Sequence, residues 1–288
     1  MIDRDTKLRL LEIEDLPTLP EVISRILDAT EDERSSAYEL SEILEMDHAI
    51  SARILRLANS AFYALPNRVD TLRRAVVVIG FDAVRLLALA TSVFDAFFES
   101  EQFALEPREF WMHAFGAAKG AHLLAEDIGG VESPEACFTA GLIHDIGKYL
   151  LAIAFKLDYM DAAKAARESG QSLGEAEKQH FGTHHGEVGA WIAQKWHFPE
   201  MLVDVIGNLY AFGRYTGPHR RELAIVVLAD HLSRKAGFGT GGDPIDRPVE
   251  PPILAELGLR EDDLPQHVER LSSFHEDTRR LLDLLTEG

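Results

Sequence analysis

Cysteine, positive charge and long apolar runs are what this 288-residue sequence has least of, and each scarcity excludes a class of protein. Cys137 is the single cysteine, so neither a disulfide framework nor a cysteine-ligated zinc site is available. Its neighbours in "EACFTAG" are apolar, which suits a core thiol better than a reactive one. A reducing, cytoplasmic setting is expected. Only 29 lysines and arginines face 48 aspartates and glutamates, a formal net charge of −19. Such a surface repels polyanions and argues against general nucleic-acid binding. No apolar run reaches the length of a membrane span, and the opening "MIDRDTKLRLLEIEDLP" has no signal-peptide core, so no membrane association is expected.

What is present is a globular composition, 46% hydrophobic and 27% charged, written in helical spacing. "LPEVISRILDAT" places Val22, Ile23, Ile26 and Leu27 on one stripe, and Ser36 with Glu39 has the spacing of a capping box ahead of Leu40, Ile43 and Leu44. "DHAISARILRLANSAFY" has its own apolar face in Ile50, Ile54, Leu57, Ala58 and Ala61. Two β-branched runs, "AVVVIG" and "AIVVLAD", could pass for strands. A doubly wound sheet needs several such runs and a glycine-rich phosphate loop, and only Gly80 is there. The expected class is therefore all-α, with two helices broken at Gly80. A polar stretch around "FESEQFALEPREF" suggests a boundary, giving an N-terminal helical part over 1–105, a second over 106–237, and a loop plus one C-terminal helix from about Leu264 over 238–288. Ser133 and Pro134 read as the cap and first residue of a helix that carries His144 and Asp145. From Met46 to Phe98 the arginines Arg53, Arg56, Arg68, Arg73, Arg74 and Arg85 outnumber the aspartates Asp47, Asp70, Asp82 and Asp95, and ion pairing within the molecule is their expected role.

Chemistry concentrates in "AGLIHDIGK", where His144 and Asp145 sit among Leu142, Ile143 and Ile146. An unpaired charge there costs several kcal/mol, roughly, so a partner is required. Adjacent residues on a helix point about 100° apart, so an ion shared by the pair needs further ligands from other helices. His113, in "FWMHAF", and Asp230, in "VVLADHL", lie on apolar faces and are the candidates. Nitrogen and oxygen donors of this kind suit Zn, Fe, Mn or Ni. A lone buried histidine is more often a satisfied core residue, which is the ordinary alternative for each. Lys148, one turn after His144, is placed either to contact a phosphate or to lie along the surface. His180 and His184 fall one turn apart if their segment is helical.

These residues carry a resemblance. "FWMH…GLIHDIGK…LAD" resembles the H…HD…D pattern of the HD superfamily of metal-dependent phosphohydrolases. "LPTLPEVISRIL", "LANSAFYALPNRVDTLRRAVVVIGFDAVRLLALA" and "FGTHHGEVGAWIAQKWHFPE" narrow it to the HDOD domain, the HD-related output domain of bacterial signalling proteins. The likeness runs from about Leu16 to Asp230 and implies an N-terminal helical bundle packed on an HD-like helical bundle. It also implies that His113, His144, Asp145 and Asp230 hold one divalent metal ion, with His185 as an additional ligand and Lys148 and His185 as the candidate catalytic groups. Where two-metal relatives often show a histidine pair, this sequence has Asn208 and Leu209, which argues against a dinuclear centre. A GYP-type motif is also missing. The implied function is regulatory, through a signalling protein partner. The alternative is a phosphohydrolase acting on a nucleotide or cyclic nucleotide, with a nucleotide as its small ligand. DNA binding by the helices around Gly80 is disfavoured by the charge and by the apolar "AVRLLALATS".

Overall fold

The structure is a computed structural model, and it describes residues 6, 9–10, 25–26, 37–60, 63, 65, 67–98, 106–131, 133–245 and 248–286. Among them every regular element is helical, as the periodicity requires. The described parts divide into two compact units, one drawn from Met1–Leu16 and Ser100–His275, the other from Pro17–Glu99 and Glu276–Gly288.

The smaller unit contains α1 (Ala37–Glu45), α2 (His48–Ala58), α3 (Leu72–Ile79) and α4 (Phe81–Phe98). Asp47 caps α2 by accepting from the backbone N–H groups of Ala49 and Ile50, at 2.9 and 3.1 Å. Ile50, Ile54, Leu57 and Ala58 are buried on one face of α2, while Ala61 lies outside the described residues. The valine run that could have been a strand is α3, with Val76 buried and Val77 and Val78 exposed. Gly80, at φ 97°, separates it from α4 in a conformation that side chains disfavour. The capping box at Ser36 and the stripe through Val22, Ile23 and Leu27 fall outside the described residues; Ile26 is buried. Of the arginines, Arg85 pairs with Asp82 at 3.4 Å, Arg56 donates to the Leu284 carbonyl, and Arg73 lies over the Tyr38 ring.

The larger unit is built on α5 (Pro107–Ile128), which packs against α6 (Pro134–Ile143) and α12 (Arg220–Lys235). Around them run α7 (Ile146–Phe155), α8 (Leu157–Ser169), α9 (Leu173–Phe181), α10 (His185–Lys195) and α11 (Glu200–Asn208). Ser133 caps α6 through the Ala136 N–H at 3.1 Å, with Pro134 in the first turn. Glycine permits the closest approaches. A Cβ on Gly141 would lie 2.9 Å from the Ala117 carbonyl oxygen, and one on Gly147 only 1.9 Å from that of His185. The α7–α10 contact therefore depends on a missing side chain.

Three expectations need correction. His144 and Asp145 are not carried within one helix: α6 ends at Ile143 and α7 starts at Ile146, so the pair forms the turn between them. The C-terminal region is not one loop and one helix but α13 (Pro251–Leu257), α14 (Leu264–Ser272) and α15 (His275–Thr286), with the division between units falling at the start of α15. Leu271 is thus buried in the larger unit, and Leu281 and Leu285 in the smaller. Finally, Pro134–Phe155 is long and apolar enough by composition to span a membrane. It is 89% buried and interrupted by a charged pair, which is how a core segment acquires that composition.

Gly147→Ala tests this packing. The added methyl must push α7 from α10, and overpacking of this kind costs about 1–3 kcal/mol or more, read as a fall in denaturant midpoint with an unchanged slope. An unchanged midpoint would show that the two helices have room to spare.

Candidate metal centre

His113 comes from α5, Asp230 from α12, and His144 with Asp145 from the turn between α6 and α7. His113, His144 and Asp230 each present a ligand atom, all within 4.8 Å of one another. Asp145 reaches the same place, its Oδ2 lying 3.3 Å from His144 Nε2 and 4.0 Å from His113 Nε2. His185, the first residue of α10, points its Nε2 at Asp145 Oδ1 from 3.4 Å. The five side chains that the sequence singled out as ligands therefore converge.

Their hydrogen bonds fix which atoms face the centre. His144 Nδ1 lies 2.7 Å from the Gly141 carbonyl oxygen, which can only accept, so that nitrogen carries the proton. His144 Nε2 then faces inward as a lone pair, and it is buried without a hydrogen-bond partner. Its nearest oxygens are acceptors too, Asp145 Oδ2 at 3.3 Å and Asp230 Oδ1 at 3.5 Å. His113 Nε2 lies 2.9 Å from Asp230 Oδ1, and its Nδ1 lies 3.3 Å from the Ser233 hydroxyl, which donates to the His113 carbonyl at 3.1 Å. In His185 the Nδ1 proton goes to Glu177 Oε2 at 2.6 Å, while Nε2 accepts from the Tyr210 hydroxyl at 2.9 Å. Tethering one ring nitrogen so that the other aims at a common point is how proteins prepare imidazoles for a metal. A lone pair aimed at carboxylate oxygens is repulsive unless a cation, either a proton or a metal ion, lies between. On this ground the residues fit a single divalent ion.

Two cations already neutralise the carboxylates. Lys148, completely buried, donates to Asp145 Oδ2 at 2.5 Å and to the Gly241 carbonyl at 2.9 Å. It is thus neither a surface lysine nor open to a phosphate. Arg234 donates to both oxygens of Asp230, at 2.7 and 2.6 Å. Asp145 and Asp230 are accordingly held well below the ordinary carboxylate range. Burial opposes this and is outweighed, by His144 and Lys148 for Asp145, and by Arg234 and His113 for Asp230. Burial alone would lower His144, but Asp145 and Asp230 raise it to about 9. For His113 burial prevails and the shift is downward, against Asp230.

The loop before α13 closes the centre. Gly241, at φ 59°, lies so near that a Cβ there would meet His113 Cδ2 at 2.5 Å and Asp145 Oδ2 at 2.9 Å. A cavity of only about 100 Å³ touches His144, Asp145 and Asp230. Asn208 spends its amide on the Asp204 carbonyl at 2.8 Å, and Leu209 borders that small cavity with an apolar side chain. His184 and His180 do not form a pair on one helix. His180 is on α9, and His184 caps α10 by accepting from the Glu187 N–H at 3.4 Å. Sequence reading missed Glu177, Tyr210, Arg234 and Gly241. Only Arg234 left a signal, four residues after Asp230 on a helical face.

With this geometry the comparisons acquire meaning. The family model of the HDOD domain matches residues 16–212. The chain belongs to the HDOD family. An HDOD domain protein of unknown function from Geobacter sulfurreducens is 27% identical, with 97% of this chain and 96% of that one covered and a TM-score of 0.78. A candidate phosphohydrolase from Shewanella amazonensis SB2B is 28% identical, covering 96% and 98%, with a TM-score of 0.73. A protein from Marinobacter aquaeolei VT8, named as a candidate signal transduction protein, shares the fold at 21% identity and a TM-score of 0.78, over 98% of this chain and 65% of that one. In a curated relative from Treponema pallidum (strain Nichols) the match is 24% over 196 residues, 67% of this HDOD chain but only 37% of the relative.

The raised His144 gives a pH prediction for metal-free protein. A group held above its ordinary value of about 6.5 contributes stability that is fully present below that pH and lost as pH rises through about 9. Denaturant melts of chelator-treated protein should therefore show stability falling between pH 6.5 and 9, and His144→Gln should flatten this dependence. The same slope in both proteins would remove His144 as its source.

Proposed function

We propose that this HDOD protein is a regulatory module of bacterial signal transduction, in which His113, His144 and Asp230, with Asp145 beside them, hold one divalent ion that organises the fold rather than hydrolyses a substrate. The closure of the centre carries this reading. Ligand pockets usually measure about 300–1,000 Å³, and the cavity at His144, Asp145 and Asp230 has about 100 Å³. Lys148 and His185, the candidate catalytic groups, are both buried and already bonded, to Asp145 and Gly241 in one case and to Glu177 and Tyr210 in the other. Asn208 and Leu209 add no ligands for a second ion. The signal would pass through a protein partner, and the lone buried Cys137 fits a reducing cytoplasm.

The likeness to the Shewanella amazonensis candidate phosphohydrolase favours a second reading, metal-dependent hydrolysis of a nucleotide. A divalent ion would there polarise a phosphoryl oxygen and acidify a water. The donor set suits Zn, Mn, Fe or Ni in either case.

Elemental analysis of protein prepared without chelator, combined with a nucleotide and cyclic-dinucleotide turnover panel, separates the two. We expect up to one ion per chain, lost in His144→Ala, and no turnover above the metal-free control. Arg234→Gln, which stops neutralising Asp230, should bind the ion more tightly. Metal-dependent turnover would establish the hydrolase instead. Protein that neither retains nor takes up an ion would remove the metal from the regulatory reading.

A further inference from the structure

A second, more open cavity shares Tyr210 with the lining of the buried centre's cavity. It is a groove of about 870 Å³ between α9, α10 and the end of α11, with Tyr210 in its wall. That volume falls within the range of about 300–1,000 Å³ typical of sites for small organic molecules. Tyr210 also borders the small cavity at His144.

The charges lining the groove are unequally engaged. Glu175 is consumed by the α9 capping box, accepting from the Ser172 N–H at 3.0 Å and the Ser172 hydroxyl at 2.7 Å. Glu187 accepts from Lys178 at 2.9 Å and from Thr183 at 2.7 Å, which also occupies the lysine. Arg214 is exposed, and its guanidinium has no hydrogen bond or ion pair among the described residues. His184 uses Nδ1 as an acceptor at the α10 cap, which leaves the proton on Nε2. The charged group left over is thus the Arg214 guanidinium, with the His184 imidazole N–H as a further donor in the same lining. Trp191, half-buried in the same lining, adds a flat apolar surface.

We propose that this groove binds a small planar molecule bearing an oxyanion, with its ring against Trp191 and its phosphate or similar acidic group on Arg214 and His184. The two carboxylates of the lining are engaged in the capping box and with Lys178, so they repel an anion only weakly, and the unpaired Arg214 guanidinium in the same lining as the Trp191 indole favours an aryl or heteroaryl phosphate. Neither the buried ion nor hydrolysis is needed for this site.

Ligand-observed NMR titration of the full chain with 1-naphthyl phosphate and with AMP tests it, with 1-naphthol and inorganic phosphate as the separate halves. At least one of the two aryl phosphates should saturate at or below about 1 mM, and each half should bind about tenfold more weakly or not at all. Loss of one charge-assisted hydrogen bond corresponds to about a tenfold loss, so Arg214→Gln should weaken binding by that factor with an unchanged circular dichroism spectrum. Trp191→Leu should do likewise. Saturation by AMP alone identifies a nucleotide-like ligand, and by 1-naphthyl phosphate alone a simpler aromatic anion; either supports the site. Absence of saturable binding up to about 10 mM overturns it. Binding that is the same in Arg214→Gln and wild type overturns it as well.

Discussion

Two carboxylates in a helical core, Asp145 buried and Asp230 mostly so, are the constraint around which the larger unit is arranged. Asp145 and Asp230 are largely withdrawn from water, and each needs compensating charge at close range. Lys148 supplies it to the first and Arg234 to the second. His144 Nε2 faces Asp145 Oδ2 and Asp230 Oδ1, and His113 Nε2 lies 2.9 Å from Asp230 Oδ1, so nitrogens and oxygens crowd one point that a shared cation, a proton or a metal ion, would stabilise. In metal-free protein a proton on His144 can take that place, which explains why its pKa is raised despite complete burial.

Several local features follow from that constraint. The pair His144 and Asp145 forms the turn between α6 and α7, and from there both side chains reach one point. Gly147 brings α10 close enough for His185 to reach Asp145, and Gly241 lets a loop backbone cover the centre where a side chain would collide. Glu177 extends the network outward by accepting from His185 and from the Tyr159 hydroxyl. The consequence is a centre with little free space, and Tyr210, bonded to His185, lines both its small cavity and the groove between α9 and α10.

Much of this was legible without coordinates. Gly80 and the Ser133–Pro134 pair punctuate helices through local backbone chemistry, so their effects are written in neighbouring residues. The ligand candidates were legible because histidine and aspartate in apolar runs demand partners. Glu177 and Tyr210 were not, since their role depends on which helices meet, and nothing near either residue encodes that. The division of the C-terminal segment into α14 and α15 was equally hidden, since Ser273 keeps helical dihedrals and neither glycine nor proline marks the break. The His184 cap was hidden as well, because histidine is not among the residues that ordinarily cap helices.

The most direct measurement is anomalous diffraction from crystals of the full chain grown with saturating manganese. A single peak should lie about 2.0–2.3 Å from His113 Nε2, His144 Nε2 and an Asp230 oxygen, with Arg234 drawn away from Asp230. Absence of a peak there, with Arg234 still bonded to both Asp230 oxygens, would contradict the claim that these side chains are arranged for an ion.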